Sequence, residues 1–324
     1  MPVIHSNKKQ THRFPAATVS CPCCSVQEVD YRAKYRLNEF DGRPHSVVQC
    51  RNCQLHFMNP MPDISWLENH YRQRALYGAE SDFSQDYRNS IADKQSLFNQ
   101  LLLPKLSDDP LGKIAVDFGC GSGYVVKAFC NLGLVGIGFD LNLNAPSKAR
   151  ALFDVDVRNG GLELLEDLSV TIFSIFEVLE HMTDPVGFLK AVSSKLHPDS
   201  LLIGTVPNYH GLGRYIFGIN SSSLSQPEHV IYFDSSTLDR TLRSAGYIPL
   251  FIGPYKPTHV VIGFGMRQSI YKYFGRNFFT NFLVLCILHI KKYFVYPLLN
   301  IFVVKTGKLA HGLTFVARPK PSSE

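Results

Sequence analysis

One stretch constrains this chain more than any other: Lys113-Ile114-Ala115-Val116-Asp117-Phe118-Gly119-Cys120-Gly121-Ser122-Gly123-Tyr124. The short apolar run before Asp117 predicts a buried strand, and Tyr124 to Phe129 has helical character. Between them lie an acid and three glycines at alternate positions. Glycine permits tight turns and close ligand approach, and the following helix start offers free N–H groups. A strand, a glycine turn and a helix together make a nucleotide-type cradle.

The details of the turn narrow its ligand. A dinucleotide fingerprint needs a third glycine three residues after the second. Here the glycines are 119, 121 and 123, with Tyr at 124, and no Gly-Lys-Ser/Thr of a P-loop follows. Asp117 is unfavourable beside a pyrophosphate and favourable beside an ammonium group. Asp140 follows twenty-three residues later, at the end of a second apolar run, Leu134 to Phe139. An acid placed there is suited to hold ribose hydroxyls. A ribose, a positive charge and no phosphates describe S-adenosylmethionine.

Around this centre the pattern alternates strand and helix, which predicts a parallel α/β sheet. Strands are expected near Asp154–Arg158, Val170–Phe176, Ser200–Val206, Ile248–Gly253 and Gly312–Arg318. Asp184-Pro185 reads as an N-cap and first turn of a helix through Leu196, and Ser235–Ala245 as a helix closed by Gly246.

The same residues resemble the class I S-adenosylmethionine-dependent methyltransferases. The resemblance rests on Asp117-x-Gly119-x-Gly121-x-Gly123, Asp140, Phe176-Glu177-Val178-Leu179-Glu180-His181 with Asp184-Pro185, Thr205-Val206-Pro207-Asn208 and Pro227-Glu228-His229-Val230-Ile231-Tyr232-Phe233. It implies a Rossmann-like seven-stranded sheet with helices on both faces, over 112–255 and 311–320. It further implies that Gly119, Cys120, Gly121 and Gly123 pass under the methionine part of the cofactor. Asp140 would hold the ribose, and Asn159-Gly160 would flank the adenine. Phe176 and Glu177 join Asp117 as cofactor-side candidates.

Transfer of a methyl group is an in-line displacement, so the protein mainly positions the acceptor, and a hydroxyl acceptor must lose its proton. His181, past the fourth sheet strand, is the first candidate for general base, because imidazole titrates near working pH. His229 is the second, and His210 is weaker. Glu177, Glu180 and His181 also resemble the acidic and histidine cluster of ubiquinone-biosynthesis O-methyltransferases, where a divalent metal is involved. The alternative is that Glu180 and His181 simply cap the next helix.

Of eight cysteines, five lie between Cys21 and Cys53. Cys21/Cys24 and Cys50/Cys53 are paired Cys-x-x-Cys knuckles, suited to a tetrahedral zinc with no open position for catalysis. With strands expected at Tyr31–Tyr35 and Ser46–Gln49, residues 19–60 read as a small zinc ribbon. Such knuckles ahead of this domain resemble a branch of bacterial methyltransferases associated with surface-polysaccharide or secondary-metabolite pathways. Residues 1–18 read as a disordered tail. Residues 61–111 read as a helical segment and substrate lid, with Tyr71, Tyr77 and Tyr87 as candidates for the substrate mouth.

The net charge of +6 is uneven: twelve Lys and Arg and no Asp or Glu lie between Arg240 and Ser323. Within that stretch, 256–310 is a basic, apolar insertion. Its apolar runs are broken by Lys291-Lys292 and Pro297, so two short helices fit better than a membrane span. Peripheral contact with anionic lipid is one partner this composition suggests, and a basic lid or dimer contact is the equal alternative. The polar, basic start, Met1 to Phe14, lacks the apolar core of a secretory signal, so a cytoplasmic setting is expected, extending to the inner face of the membrane.

These features point to O-methylation of a small molecule or glycoconjugate, with a sugar, lipid-linked or quinone-like acceptor. Nucleic acid is a less favoured substrate: no Pro-Pro-aromatic tetrapeptide of amino-methylating enzymes follows the fourth strand. A non-catalytic protein of the same fold is disfavoured by the intact cofactor residues. A nicotinamide oxidoreductase is disfavoured by Asp117 and Tyr124.

Overall fold

The computed structural model describes residues 20–27, 29–37, 41–73, 84–107, 109–166, 168–218, 221, 224, 227–255 and 310–321. The expected tail at 1–18, Tyr77 and nearly all of the 256–310 insertion lie outside them.

A seven-stranded sheet forms the centre. Its strands are β4 (Ile114–Phe118), β5 (Val135–Asp140), β6 (Asp156–Asn159), β7 (Val170–Phe176), β8 (Leu201–Pro207), β10 (Tyr247–Tyr255) and β11 (Gly312–Pro319). They are ordered β10-β11-β8-β7-β4-β5-β6. β4 through β8 pair in parallel, and β11 alone runs against its neighbours. This is the Rossmann-like sheet that the sequence predicts. Every residue of β8 is buried, as in a strand covered by helices on both faces.

The chain enters at β4, builds outward to β6, then crosses back to β7. The gap between β4 and β7 at their carboxyl ends is therefore the topological switch point, where such sheets bind ligands. The helices are α3 (Tyr124–Cys130), α4 (Ala145–Phe153), α5 (Pro185–Ser193), the short α6 (Leu212–Phe217) and α7 (Ser235–Ser244). Asp184 caps α5, accepting from the Gly187 N–H at 2.8 Å, with Pro185 in the first turn. Asp234 and Thr237 close a reciprocal capping box on α7.

Ahead of the sheet come β1 (Val29–Arg36), β2 (Ser46–Cys50), β3 (His56–Asn59), α1 (Ile64–Gln73) and α2 (Ser84–Leu97). The ribbon is larger than the two expected strands. β3 adds a third, and its fourth comes from far along the chain: β9 (Ile231–Tyr232) pairs antiparallel with β3. The ribbon and the large sheet share one apolar core, in which Phe57, Met58, Phe173, Val206 and Phe233 are all fully buried. Among the described residues no helix is long and apolar enough to cross a membrane.

Candidate functional site

The glycine loop joins β4 to α3 with all three glycines at positive φ, at +73°, +51° and +81° for Gly119, Gly121 and Gly123. Gly123 packs against α4: an added Cβ would lie 2.9 Å from the Ala149 Cβ. Gly121 is different. A Cβ there would meet no atom within 4 Å and would project into open space. Cys120 turns inward onto β5, where its Sγ would lie 2.6 Å from any Cβ placed on Gly138. Only the Cys120 main chain is thus available to a ligand in the cradle.

Asp140 ends β5 beside this loop. Its carboxylate accepts from the N–H of Gly121 at 2.7 Å and of Asn142 at 2.8 Å, one bond to each oxygen. Each oxygen keeps acceptor capacity for a hydroxyl. Asn159 and Gly160 brace the neighbouring turn: the Asn159 amide donates to the carbonyls of Asp140 and Leu141, both at 3.0 Å, and the Gly160 N–H donates to Asp140 at 3.1 Å.

Asp117 lies beneath the loop, 2 % exposed, accepting from the Ser174 hydroxyl at 2.6 Å. Burial pushes its carboxyl up to about 7, against the Ser174 bond and the charge of Lys94. Lys94 is itself buried, and its Nζ sits 3.3 Å from the centroid of the Phe176 ring. It comes from α2, outside the strand–helix alternation. Sequence reasoning missed it, since a single lysine in a polar helix carries no signal.

The lip of the cradle is Phe176-Glu177. Glu177 is a non-glycine residue at φ +56°, a backbone conformation that costs on the order of 1 kcal/mol or more and clusters at functional sites. Its N–H donates to the Thr205 carbonyl, and its carboxylate accepts from the Thr205 hydroxyl at 2.8 Å. This corrects the expected metal set. Glu177 is committed to Thr205, and the residue that converges with Glu180 and His181 is His229.

Glu180 and His181 sit in a 3₁₀ turn, Leu179–His181, after β7. The Nε2 atoms of His181 and His229 each lie 3.9 Å from the Glu180 Oε1. The two imidazoles are 4.9 Å apart at 72°. Glu180 is 1 % exposed, and neither carboxylate oxygen has a hydrogen-bond partner. Burial, reinforced by the charge of Glu177, holds its carboxyl well above the usual carboxylate range.

His181 Nδ1 lies 2.8 Å from the Glu228 carbonyl and 2.9 Å from the Tyr71 hydroxyl. A carbonyl only accepts, so the Nδ1 carries the proton and the Nε2 lone pair faces Glu180. Burial, then the neighbouring His229, pushes the His181 pKa down to about 3. This ring is uncharged near neutral pH and a weak proton acceptor, which counts against the first candidate for general base. Tyr71 comes from α1, and its main-chain carbonyl accepts from the Asn142 side chain at 3.2 Å, so it bridges the two halves of the site. On the same helix His70 stacks on Trp66 and reaches Glu228 at 3.3 Å. His210 stands in another group, 3.5 Å from Asp234 and against Tyr209. Tyr87 packs on Phe153 of α4.

In the ribbon, Cys21 and Cys53 Sγ atoms are 3.4 Å apart and those of Cys24 and Cys50 3.7 Å. Zinc–thiolate bonds of about 2.3 Å in a tetrahedron give edges of about 3.8 Å, so the four thiols suit zinc. Cys23, the fifth of the group, accepts instead from the Thr241 hydroxyl of α7 at 3.3 Å.

Residues 89–249 match a family model described as a methyltransferase domain. A probable S-adenosylmethionine-dependent methyltransferase of Mycolicibacterium smegmatis is 27 % identical over 152 residues, 46 % of this chain and 57 % of that protein. A ubiquinone biosynthesis O-methyltransferase of Rhodopseudomonas palustris is 32 % identical over 108 residues, 31 % of this chain and 42 % of that protein. The chain thus spans about half the length of the curated relatives it matches. Among solved structures, a magnesium protoporphyrin IX methyltransferase from Synechocystis PCC 6803 with bound SAH superposes with a TM-score of 0.48 at 12 % identity. That superposition covers 80 % of this chain and all of that one.

Proposed function

Because residues 89–249 belong to the methyltransferase-domain family, we propose that this protein transfers a methyl group from S-adenosylmethionine to an oxygen of a small-molecule or glycoconjugate acceptor. The observation that carries the oxygen acceptor is the convergence of Glu180, His181 and His229 beside the cradle lip.

The cradle fits the cofactor on its own geometry. Gly121 leaves space where any side chain would intrude, Asp140 has oxygen lone pairs to offer a diol, and Asp117 places a buried carboxyl where a cation would favour its ionised form. When bound, S-adenosylmethionine supplies a methyl carbon on a sulfonium, open to in-line displacement. Phe176 and the left-handed Glu177 set the height of the lip across which the acceptor approaches. The Nε2 of His229 accepts the hydroxyl proton as the new carbon–oxygen bond forms, while His181, held neutral by burial and by the Glu228 carbonyl, orients the acceptor.

Glu180, His181 and His229 also fit a divalent cation. Two imidazoles and a carboxyl group with two orphan oxygens form a donor set of the kind that holds such an ion. Such a cation would act as a Lewis acid on an acceptor hydroxyl, with the imidazoles as its ligands. Zinc at Cys21, Cys24, Cys50 and Cys53 is the structural metal of this reading.

The test is transfer from labelled S-adenosylmethionine into cell extracts divided into lipid, nucleotide-sugar, protein and nucleic-acid pools, alongside calorimetric cofactor binding. Label in the lipid or nucleotide-sugar pool is expected. Label confined to nucleic acid or protein overturns the acceptor class, and absence of cofactor binding overturns the activity.

A further inference from the structure

We infer that the four-cysteine site is the anchor of the His229 loop, so that metal in the ribbon governs the order of the acceptor side of the site. The functional consequence rests on the reading of His229 given above, but the mechanical link does not.

The link is a continuous set of hydrogen bonds. Cys50 and Cys53 close the turn that leads into β3, with the Cys50 N–H bonded to the Leu55 carbonyl at 2.9 Å. Three residues on, the Met58 N–H donates to the Val230 carbonyl at 2.8 Å, and Phe57 and His56 pair with Ile231 and Tyr232. The Val230 N–H in turn donates to the Glu180 carbonyl at 2.9 Å. The residue after His229 is therefore clamped between the ribbon on one side and Glu180 on the other. β9 is only two residues long, and among the described residues β3 is its one neighbour in the sheet. Without β3, the main-chain bonds left to this segment among the described residues are those from the Val230 N–H to Glu180 and from the Tyr209 N–H to the Phe233 carbonyl at 2.7 Å.

Packing reinforces the bond pattern. Cys50, Cys53, Leu55, Phe57, Val230, Ile231 and Phe233 are all buried in the same cluster. Cys23 ties the first knuckle to α7, the helix that follows β9, through Thr241. The ribbon is thus built into the domain wall. The Cys21–Cys53 and Cys24–Cys50 Sγ pairs, 3.4 and 3.7 Å apart, hold each other only by weak S–H contacts, and a tetrahedral metal would draw both knuckles to one point. The cradle's own bracing comes from β5, β6 and α4, with Tyr71 as its link to the acceptor side, so it should feel the loss far less.

The experiment uses the full chain and hydrogen exchange resolved by peptide. Zinc at one per chain is expected in the wild type. Cys53→Ser should lose it and raise exchange across residues 227–233 by at least about tenfold, while 117–123 and cofactor affinity change less than twofold. Because Cys53 is itself a buried core residue, Met58→Pro supplies the second arm. It removes the single N–H that reaches Val230 and leaves all four cysteines, so it should keep zinc and still loosen 227–233. Wild type without zinc, protection of 227–233 in a zinc-free variant, or full protection in Met58→Pro would each overturn the inference. Failure of wild type to bind cofactor would overturn the proposed function and leave these exchange results standing.

Discussion

Glu180→Gln is the most informative single substitution, because its expected effect has opposite signs with and without a divalent cation. In the cation-free protein both Glu180 oxygens are buried without partners. An unsatisfied buried polar group costs on the order of 1–3 kcal/mol, and an ionised one more, so the carboxyl is held protonated by its surroundings. Its raised pKa fixes the sign of the linkage. The native state keeps a proton that the unfolded chain releases above about 4.5, so stability falls as pH rises past that value, by up to about 1.4 kcal/mol per unit. Gln has nearly the same shape and does not ionise. Glu180→Gln should therefore match wild type within about 1 kcal/mol at pH 5 and exceed it increasingly by pH 8. Adding Mn²⁺ reverses the order. At a hundredfold excess over its dissociation constant, binding stabilises wild type by about 2.7 kcal/mol, or about 4 °C in Tm for a chain of this size. The variant should show little of that shift. Thermal scans at several pH values with and without Mn²⁺, with ribbon zinc monitored throughout, read both effects. A variant more than about 2 kcal/mol less stable than wild type at pH 8 without Mn²⁺, or an equal Mn²⁺ shift in both proteins, would refute the reasoning.

Three further outcomes are expected. Since Asp117 is held near 7 and a cationic ligand favours its ionised form, cofactor affinity should rise with pH up to about 7 and then level off. Asp117→Asn should bind more weakly with no such slope, and calorimetry in buffers of different ionisation enthalpy reads the released proton. Gly121→Val adds a side chain to open space at φ +51°, so it should cost about 1–3 kcal/mol in stability while weakening cofactor binding by more than tenfold; unchanged affinity would remove Gly121 from the cradle. Tyr71→Phe leaves the Glu228 carbonyl to hold His181 but removes the hydroxyl at Nδ1. It should lower Mn²⁺ affinity by about tenfold at a stability cost of about 1 kcal/mol, and a loss of fold instead would make Tyr71 purely structural.

What the sequence made legible is what local chemistry decides. A run of apolar residues ending in Asp117 and three spaced glycines has one economical outcome, and the Asp184-Pro185 and Asp234-x-x-Thr237 starts carry their own caps. Convergence across the chain leaves no such trace. Tyr71 reaches His181 across 110 residues, and Lys94 arrives under the cradle from a helix whose composition is simply polar. The metal set was misread for a related reason. Three acidic or histidine residues within five positions look convergent on a string, yet the left-handed backbone at Glu177 hands its carboxylate to Thr205, and the third member comes from the Glu228-His229 loop. β3 was missed because four residues between a cysteine knuckle and a proline carry too little pattern to register as a strand. That omission also shaped the first view of the zinc. A closed four-thiolate site has no place for a substrate, which suggests that it is remote from the reaction. Once β3 is seen to be a sheet partner of β9, coordination chemistry and mechanical reach separate. A metal that can bind no substrate can still set where His229 stands.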